Sequence, residues 1–333
     1  MTIALYAVAF ASYAATFFHE NISPFFKHIL ISFAILLPMI INLTSVSFVA
    51  KSESMIVVLK IVLLIVIILF SLPYIRLEHV APAHWGSMGS YVTSGMIIFV
   101  AYEGFELIAN AAEDIDNPER NLPLAFLLSV LLEMILYVVI ATITVSTVSE
   151  AQLSTAREFA LAVAARPALG QAGFTLVSIA ALLATFSAIN ATIYGNARLG
   201  YVLAKDGQLP EEFDYEFWGK PVMGVLITAI ISLLIANTIE LSEIAIIGSA
   251  SFLLIFSLVN ASAFKLRKKI GGNQWIYFIA LVFCVTSLLL LLIHTCRANV
   301  VAVLIFFSLI FLSVLFELIY GRKFRSHFLG RSY

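Results

Sequence analysis

Ten apolar runs, each close to the length of a bilayer crossing or above it, follow one another along this chain, at 2–18, 29–48, 54–75, 92–112, 122–147, 172–193, 221–238, 241–264, 274–293 and 299–320. A crossing needs about 20 mostly apolar residues. In hydrocarbon every backbone N–H and C=O must find a partner within the protein, so runs of this kind are helices. Composition agrees: 62% of the 333 residues are hydrophobic and 12% are charged, against about 25% charged in a soluble domain. Helices of a soluble protein would carry a polar face, and these mostly do not. The expected class is an all-α polytopic membrane protein, with the lipid bilayer as its surroundings.

Several function classes drop out at this level. No basic cluster is large enough to expect nucleic acid as a partner, apart from short juxtamembrane runs such as Phe264-Lys-Leu-Arg-Lys-Lys269, read as an inner-face anchor. Cys284 and Cys296 have neither metal nor redox spacing. No His/Cys/Asp cluster has ligand spacing and no nucleophile stands beside a base, so neither an enzyme nor a bound cofactor is expected. No ring of charges or filter-like loop points to a channel. The first run has no positive flank, so a cleavable leader is not expected.

Most connections are short. The longer ones are 76–91, with Pro82 and Trp85; 148–171, whose Ala-rich stretch 155–165 is expected to form a surface helix; and 205–220, with Gly207, Pro210 and mixed charge ending at Lys220. If the first run points outward, most of the 19 Lys and Arg residues, among them Arg120, Arg198, Lys205, Lys265 and Arg322, fall on one side. Lys27, Arg76, Arg157, Arg166 and Arg297 fall on the other. The positive-inside rule then places the C-terminus in the cytoplasm.

Charge at membrane depth costs about 2.5–3.5 kcal/mol on insertion scales and marks functional candidates. Lys60 lies in Val57-Val-Leu-Lys-Ile-Val-Leu63. It either snorkels to the inner surface or faces the bundle interior. In the second case desolvation disfavours the charged form, and the amine can bind and release a proton during a cycle. Glu103 and Glu106 flank Gly104 inside an apolar run. A glycine there allows unpaired backbone, and broken helices at mid-membrane are a mark of transporter binding sites. Composition leaves a second reading open, in which Gly104 lets two helices pack closely and Glu106 pairs with a neighbour. Glu133 is a lone acid with no evident partner, for which an interior hydrogen bond is expected. Ser187 and Asn190 form a polar patch for which interhelical hydrogen bonding is the plain explanation.

Two stretches carry a resemblance. Phe99-Val-Ala-Tyr-Glu-Gly-Phe-Glu106, followed by Glu113-Asp-Ile-Asp-Asn-Pro-Glu-Arg-Asn-Leu-Pro-Leu-Ala125, is similar to one signature of the amino acid permeases of the amino acid–polyamine–organocation superfamily. Asn196-Ala-Arg-Leu-Gly-Tyr-Val-Leu-Ala-Lys-Asp-Gly-Gln-Leu-Pro210 resembles a second. The resemblance covers essentially the whole chain and is nearest to the archaeal, broad-specificity, proton-coupled branch. In the first signature Asn117-Pro118 should end one helix, and Asn121 should cap the next with Pro123 in its first turn. The second signature should close a long protruding helix at Gly207 and Pro210.

What the resemblance implies is specific. The family folds as two inverted five-helix repeats and two further helices. Residues 1–75 would be a remnant of the first repeat, 92–264 the second repeat and 274–320 the two additional helices, all in one transmembrane transporter domain. The run with Lys60 matches the fifth helix and the run with Gly104 the sixth, so Met1 falls inside the third. The first two helices and part of the third are expected to be missing, and with them the broken first helix that faces the substrate. Carbonyls near Val100 and Glu103 would accept an amino acid's ammonium group, with Ala101, Tyr102 and Gly104 lining the site. Glu106 would couple the break to its neighbours. Lys60 would stand where sodium-coupled relatives hold the ion, with Ser187 as its nearby hydroxyl and the proton as coupling ion. The implied function is proton-coupled amino acid symport by alternating access. The rivals are a transport-inactive fragment and a non-transporting membrane subunit.

Overall fold

The computed structural model describes residues 1–18, 23–44, 46–81, 86–215, 221–324, 327–328 and 331–332; Pro82, Trp85 and Lys220 lie outside them. The helices are α1 (Thr2–Ala15), α2 (Pro24–Thr44), α3 (Val46–Ser71), α4 (Met88–Ile97), α5 (Pro118–Thr147), α6 (Glu150–Ala156), α7 (Ala160–Lys205), α8 (Val222–Thr238), α9 (Leu241–Ile270), α10 (Gln274–Ala298) and α11 (Val300–Phe324). The only strands among the described residues are a two-residue antiparallel pairing of 327–328 with 331–332. Among the described residues eight apolar helical stretches are long enough to cross a membrane, and α1 and α8 are shorter apolar helices of 14 and 17 residues. The protein is an all-α, multi-pass membrane protein.

The chain divides into two compact units. One comprises Met1, Gly86–Glu103 and Glu240–Tyr333, and thus contains α4, α9, α10 and α11. Its core gathers Ala250 and Leu253 of α9, Leu288 and Leu291 of α10 and Phe306 of α11, with Met96, Ile97 and Phe99 packed against it. The other comprises Thr2–Trp85 and Gly104–Ile239, with α1, α2, α3, α5, α6, α7 and α8. Its core joins Tyr13 of α1, Ile67 of α3, and Ala162, Ala165, Phe174 and Val177 of α7.

Lipid tails are as apolar as leucine, so helices in a membrane associate by close packing, which small residues permit. On α1, Ala4, Ala7 and Ala11 are wholly buried at helical spacing, and α1 packs on α2, α7 and α8. Gly224 brings α8 onto α7. A Cβ there would lie 2.9 Å from the Ala197 Cα and 3.0 Å from the Ala197 carbonyl oxygen, so only hydrogen fits.

The same principle corrects the expected surface helix at 155–165. Ala156, Ala162, Ala164 and Ala165 are buried, and the turn at 157–159 packs on α1. Phe159 meets Phe174 edge to face at 6.3 Å. The alanines are small so that this stretch can pack inward.

α7 is 46 residues long with non-helical dihedrals at Gly170 (φ 60°, ψ −149°), three positions after Pro167. The 171–205 part alone would run about 52 Å at about 1.5 Å per residue, beyond the ~30 Å hydrocarbon core. It closes as expected at Gly207 (φ 68°). The Gly207 N–H donates to the Ala204 carbonyl (2.8 Å) and the Gln208 N–H to the Leu203 carbonyl (2.7 Å), which is a Schellman closure. The turn before α5 differs from its expectation. α5 begins at Pro118, after Asn117 in a left-handed conformation (φ 49°). Asn121 is already inside the helix, its side-chain amide donating to the Asp116 carbonyl at 2.5 Å. Proline at the first helical position needs no N–H partner, so the helix starts there, four residues before the expected boundary.

Gly224→Ala should cost about 1–3 kcal/mol of stability by overpacking against backbone that cannot retreat. Gly95→Ala, where a Cβ meets nothing within 4 Å, should be neutral or slightly stabilising. Thermal unfolding of the two variants in detergent checks this, and equal midpoints would refute the packing account of Gly224.

Candidate functional site

α4 opens conventionally, with the Ser87 side chain accepting the Ser90 N–H. It lasts ten residues. At Ile98 (φ −79°, ψ 0°) the chain tightens into a 3-10 turn over Ile98–Tyr102, then extends at Glu103 (φ −69°, ψ 145°). Gly104 has φ 126° and precedes a second 3-10 stretch, Phe105–Asp114, of ten residues. Runs of 3-10 helix beyond three or four residues are uncommon and mark strain or function. The span is therefore interrupted, and α-helix is not resumed until α5.

The surroundings of Gly104 speak against the close-packing reading its composition left open. A Cβ there would touch nothing within 4 Å, so the glycine is not present for close packing. Its φ lies where L-residues with a Cβ are rarely found, so the backbone conformation requires it.

The polar groups freed by the break find defined partners. In the first unit, Ser249 of α9 accepts the Val100 N–H (2.9 Å) and donates to the Ile97 carbonyl (2.8 Å). The Glu103 N–H donates to the Val100 carbonyl at 3.2 Å. That engages one of the two lone pairs on an oxygen expected to face a substrate ammonium. Val100 is buried, Ala101 exposed, and Tyr102 and Glu103 are half-buried. In the second unit, the Gly104 N–H donates to Glu106 Oε2 at 2.8 Å, and the Leu107 N–H donates to the Gly104 carbonyl at 3.1 Å. Glu106 thus reaches back to the start of its own helical stretch, as the acid of a capping box does, with its charge at the favourable end of the helix dipole.

The remaining candidates lie in the second unit. Lys60 is half-buried, well inside α3, whose start at Val46 is almost four turns away. Ser187 is 5% exposed on α7, and α3 packs on α7. Asn190, one turn from Ser187, is an interhelical link: its Oδ1 accepts from the Asn42 side-chain amide of α2 at 2.8 Å. Glu133 finds its hydrogen bond within its own helix, from the Tyr137 hydroxyl at 2.7 Å. A cavity of about 990 Å³ opens elsewhere in this unit, beside Ser12, Gln152, Arg166 and Phe174, and no residue expected at the site lines it.

Sequence reasoning missed Gly248 and Ser249. A Cβ on Gly248 would come within 2.9 Å of Val100 Cγ2. The available signal was the run Gly248-Ser-Ala-Ser251 inside an apolar helix, of the small and hydroxyl-bearing kind that membrane helices place at contacts.

A family model described as amino acid permease matches residues 1–322. Over its whole length the chain is 35% identical to an uncharacterized protein of Methanocaldococcus jannaschii and covers 77% of it. Over 82% of its length it is 30% identical to the inner membrane transport protein YbaT of Escherichia coli, covering 64% of that protein. Over 66% of its length it is 24% identical to the branched-chain amino acid permease BcaP of Bacillus subtilis, covering 47%. The chain thus spans from about half to about three quarters of the length of these relatives.

Gly104→Ala should cost about 1–3 kcal/mol through its positive φ alone. Glu106→Ala should speed amide exchange at Gly104, whereas Glu106→Gln keeps an acceptor oxygen and should preserve most of the protection. Exchange measured by mass spectrometry in nanodiscs checks both, and equal protection in the two Glu106 variants would remove the cap.

Proposed function

The chain belongs to the amino acid permease family, and from that premise we propose that it serves as a secondary active amino acid transporter, coupled to protons and working by alternating access. The observation that carries the reading is the interruption of a membrane span between Ile98 and Gly104. An α-helix satisfies its own backbone and has nothing left for a ligand. An interrupted one presents carbonyls and amides at membrane depth, where the low dielectric strengthens each bond made to a charged solute. An amino acid's ammonium group needs acceptors. Carbonyls of the stretch Val100–Glu103 supply them, with Ala101, Tyr102 and Gly104 around the bound group. Glu106 holds Gly104 in place by the bond described above and so steadies the break.

Lys60 is the proton-carrying group in this proposal, with Ser187 as its hydroxyl partner. It is half-buried within the apolar stretch 55–70 of its helix, at a depth where a change of charge is felt by the packing around it. Protonation then favours one conformation and deprotonation the other. The C-terminus lies on the cytoplasmic side, because the Lys and Arg residues concentrate there. The family description and the branched-chain amino acid permease among the relatives support an amino acid as the cargo.

Uptake of labelled amino acids by proteoliposomes is the test. The unaltered protein should take up amino acid faster as the outside pH falls from 8 to 6. Lys60→Ala should retain binding but lose this dependence. An unchanged pH profile in Lys60→Ala would remove the lysine's role. No uptake by folded, unaltered protein would favour the rival reading, a non-transporting membrane subunit.

A further inference from the structure

A hydroxyl is both a donor and an acceptor, and Ser249 uses both capacities on one short piece of backbone. It accepts the Val100 N–H at 2.9 Å and donates to the Ile97 carbonyl at 2.8 Å. These two backbone groups are three residues apart, the pair that a 3-10 turn joins directly. The side chain from α9 therefore bridges them at the point where α4 ends and the 3-10 turn begins. Side chains that enter the backbone ladder are among the few identified causes of sharp helix distortion.

Two further features make the bridge a built one. Ser249 is wholly buried, so water does not compete for its hydroxyl. Gly248, the residue before it, has no side chain where a Cβ would come within 2.9 Å of Val100 Cγ2. The glycine lets α9 approach closely enough for the hydroxyl to reach the backbone. The downstream consequence is geometric. The Val100 carbonyl belongs to the residue whose N–H Ser249 holds, and Glu103 follows through its own bond to that carbonyl. Fixing Val100 fixes the direction of the oxygens that follow it.

We propose that Ser249 is a positioning residue for substrate: its hydroxyl, set between the Ile97 carbonyl and the Val100 N–H, holds the interrupted stretch so that its carbonyls are aimed at the ammonium group before the amino acid arrives. This rests on the transport reading above. Ser249 itself does not touch the substrate; it acts through Val100. Preorganised acceptors raise affinity because less ordering is left to be done on binding. Loss of the hydroxyl therefore weakens substrate capture more than it slows the conformational cycle.

The experiment compares Ser249→Ala and Ser249→Thr with the unaltered protein, by two readouts. One is the KM and maximal rate of amino acid uptake in proteoliposomes. The other is amide exchange of residues 97–103 in nanodiscs. Ser249→Ala removes the hydroxyl and keeps a strong helix former, so α9 persists. It should raise KM about tenfold, the equivalent of one well-made hydrogen bond to a buried group, with the maximal rate within about twofold. Exchange at Val100 should quicken by a similar factor. Ser249→Thr keeps the hydroxyl and should restore both. Unchanged exchange in Ser249→Ala would overturn the bridge. Faster exchange with an unaltered KM would overturn the positioning role. A folded threonine variant that behaves like the alanine variant would show that the hydroxyl is not what matters. Absence of uptake by the unaltered protein would defeat the transport reading alone, and the exchange readout would still decide the bridge.

Discussion

In hydrocarbon an unpaired N–H or C=O costs several kcal/mol, and a chain that crosses the membrane many times meets that demand almost everywhere by staying α-helical. Between Ile98 and Gly104 this chain does not. The arrangement around that stretch follows from the need to satisfy its backbone by other means. Ser249 takes up the Val100 N–H and the Ile97 carbonyl. Glu103 turns back on Val100. Glu106 receives the Gly104 N–H. The chemistry of each partner matches its place, with a hydroxyl where both a donor and an acceptor are needed and a carboxylate where a helical stretch begins.

Small residues make this possible elsewhere as well. Gly248 at Val100, Gly224 at Ala197 and the alanines of α1 and early α7 bring backbones close where greasy side chains would hold them apart. Among helices that gain nothing from leaving lipid, such contacts decide which pairs adhere. They also leave room for hydroxyl and amide links such as Asn42 to Asn190. The core of Ala250, Leu253, Leu288, Leu291 and Phe306 begins one residue after Ser249 on α9, and Ile97, whose carbonyl Ser249 bonds, packs against it.

Much of this was legible in the residues. The apolar runs had bilayer length, and Gly207 and Pro210 closed α7 where expected. Gly104 marked a place for either an interruption or a close helix contact, and its φ of 126°, which no sequence pattern shows, separates the two. What was not legible was the cause and extent of the break. The departure from α-helix begins at Ile98, six residues before the glycine, where the backbone of Ile97 and Val100 bonds a serine about 150 positions further on; no local pattern carries that. The start of α5 was misplaced because two prolines, Pro118 and Pro123, compete for the first turn. Pro118, with Asn117 in a left-handed conformation, takes it. The Ala-rich stretch 155–165 read as a surface helix because alanine is neutral in a hydropathy pattern, while its smallness is a packing signal that only a neighbour reveals. Glu133 takes its hydrogen bond from Tyr137, one turn on along the same helix, a spacing that alone does not fix where the hydroxyl points.

The central claim is that a substrate amino acid meets the protein at the interrupted stretch. Ala101 is exposed within it, so Ala101→Cys, made with Cys284 and Cys296 replaced by serine, places a reporter there. The rate at which a water-soluble thiol reagent modifies this cysteine in proteoliposomes, with and without saturating amino acid, is the most direct measurement. The account requires that the cysteine react and that amino acid slow the reaction severalfold, with no such protection for a cysteine placed at Ile279 on the exposed face of α10. Modification at the same rate whether or not amino acid is present would contradict it.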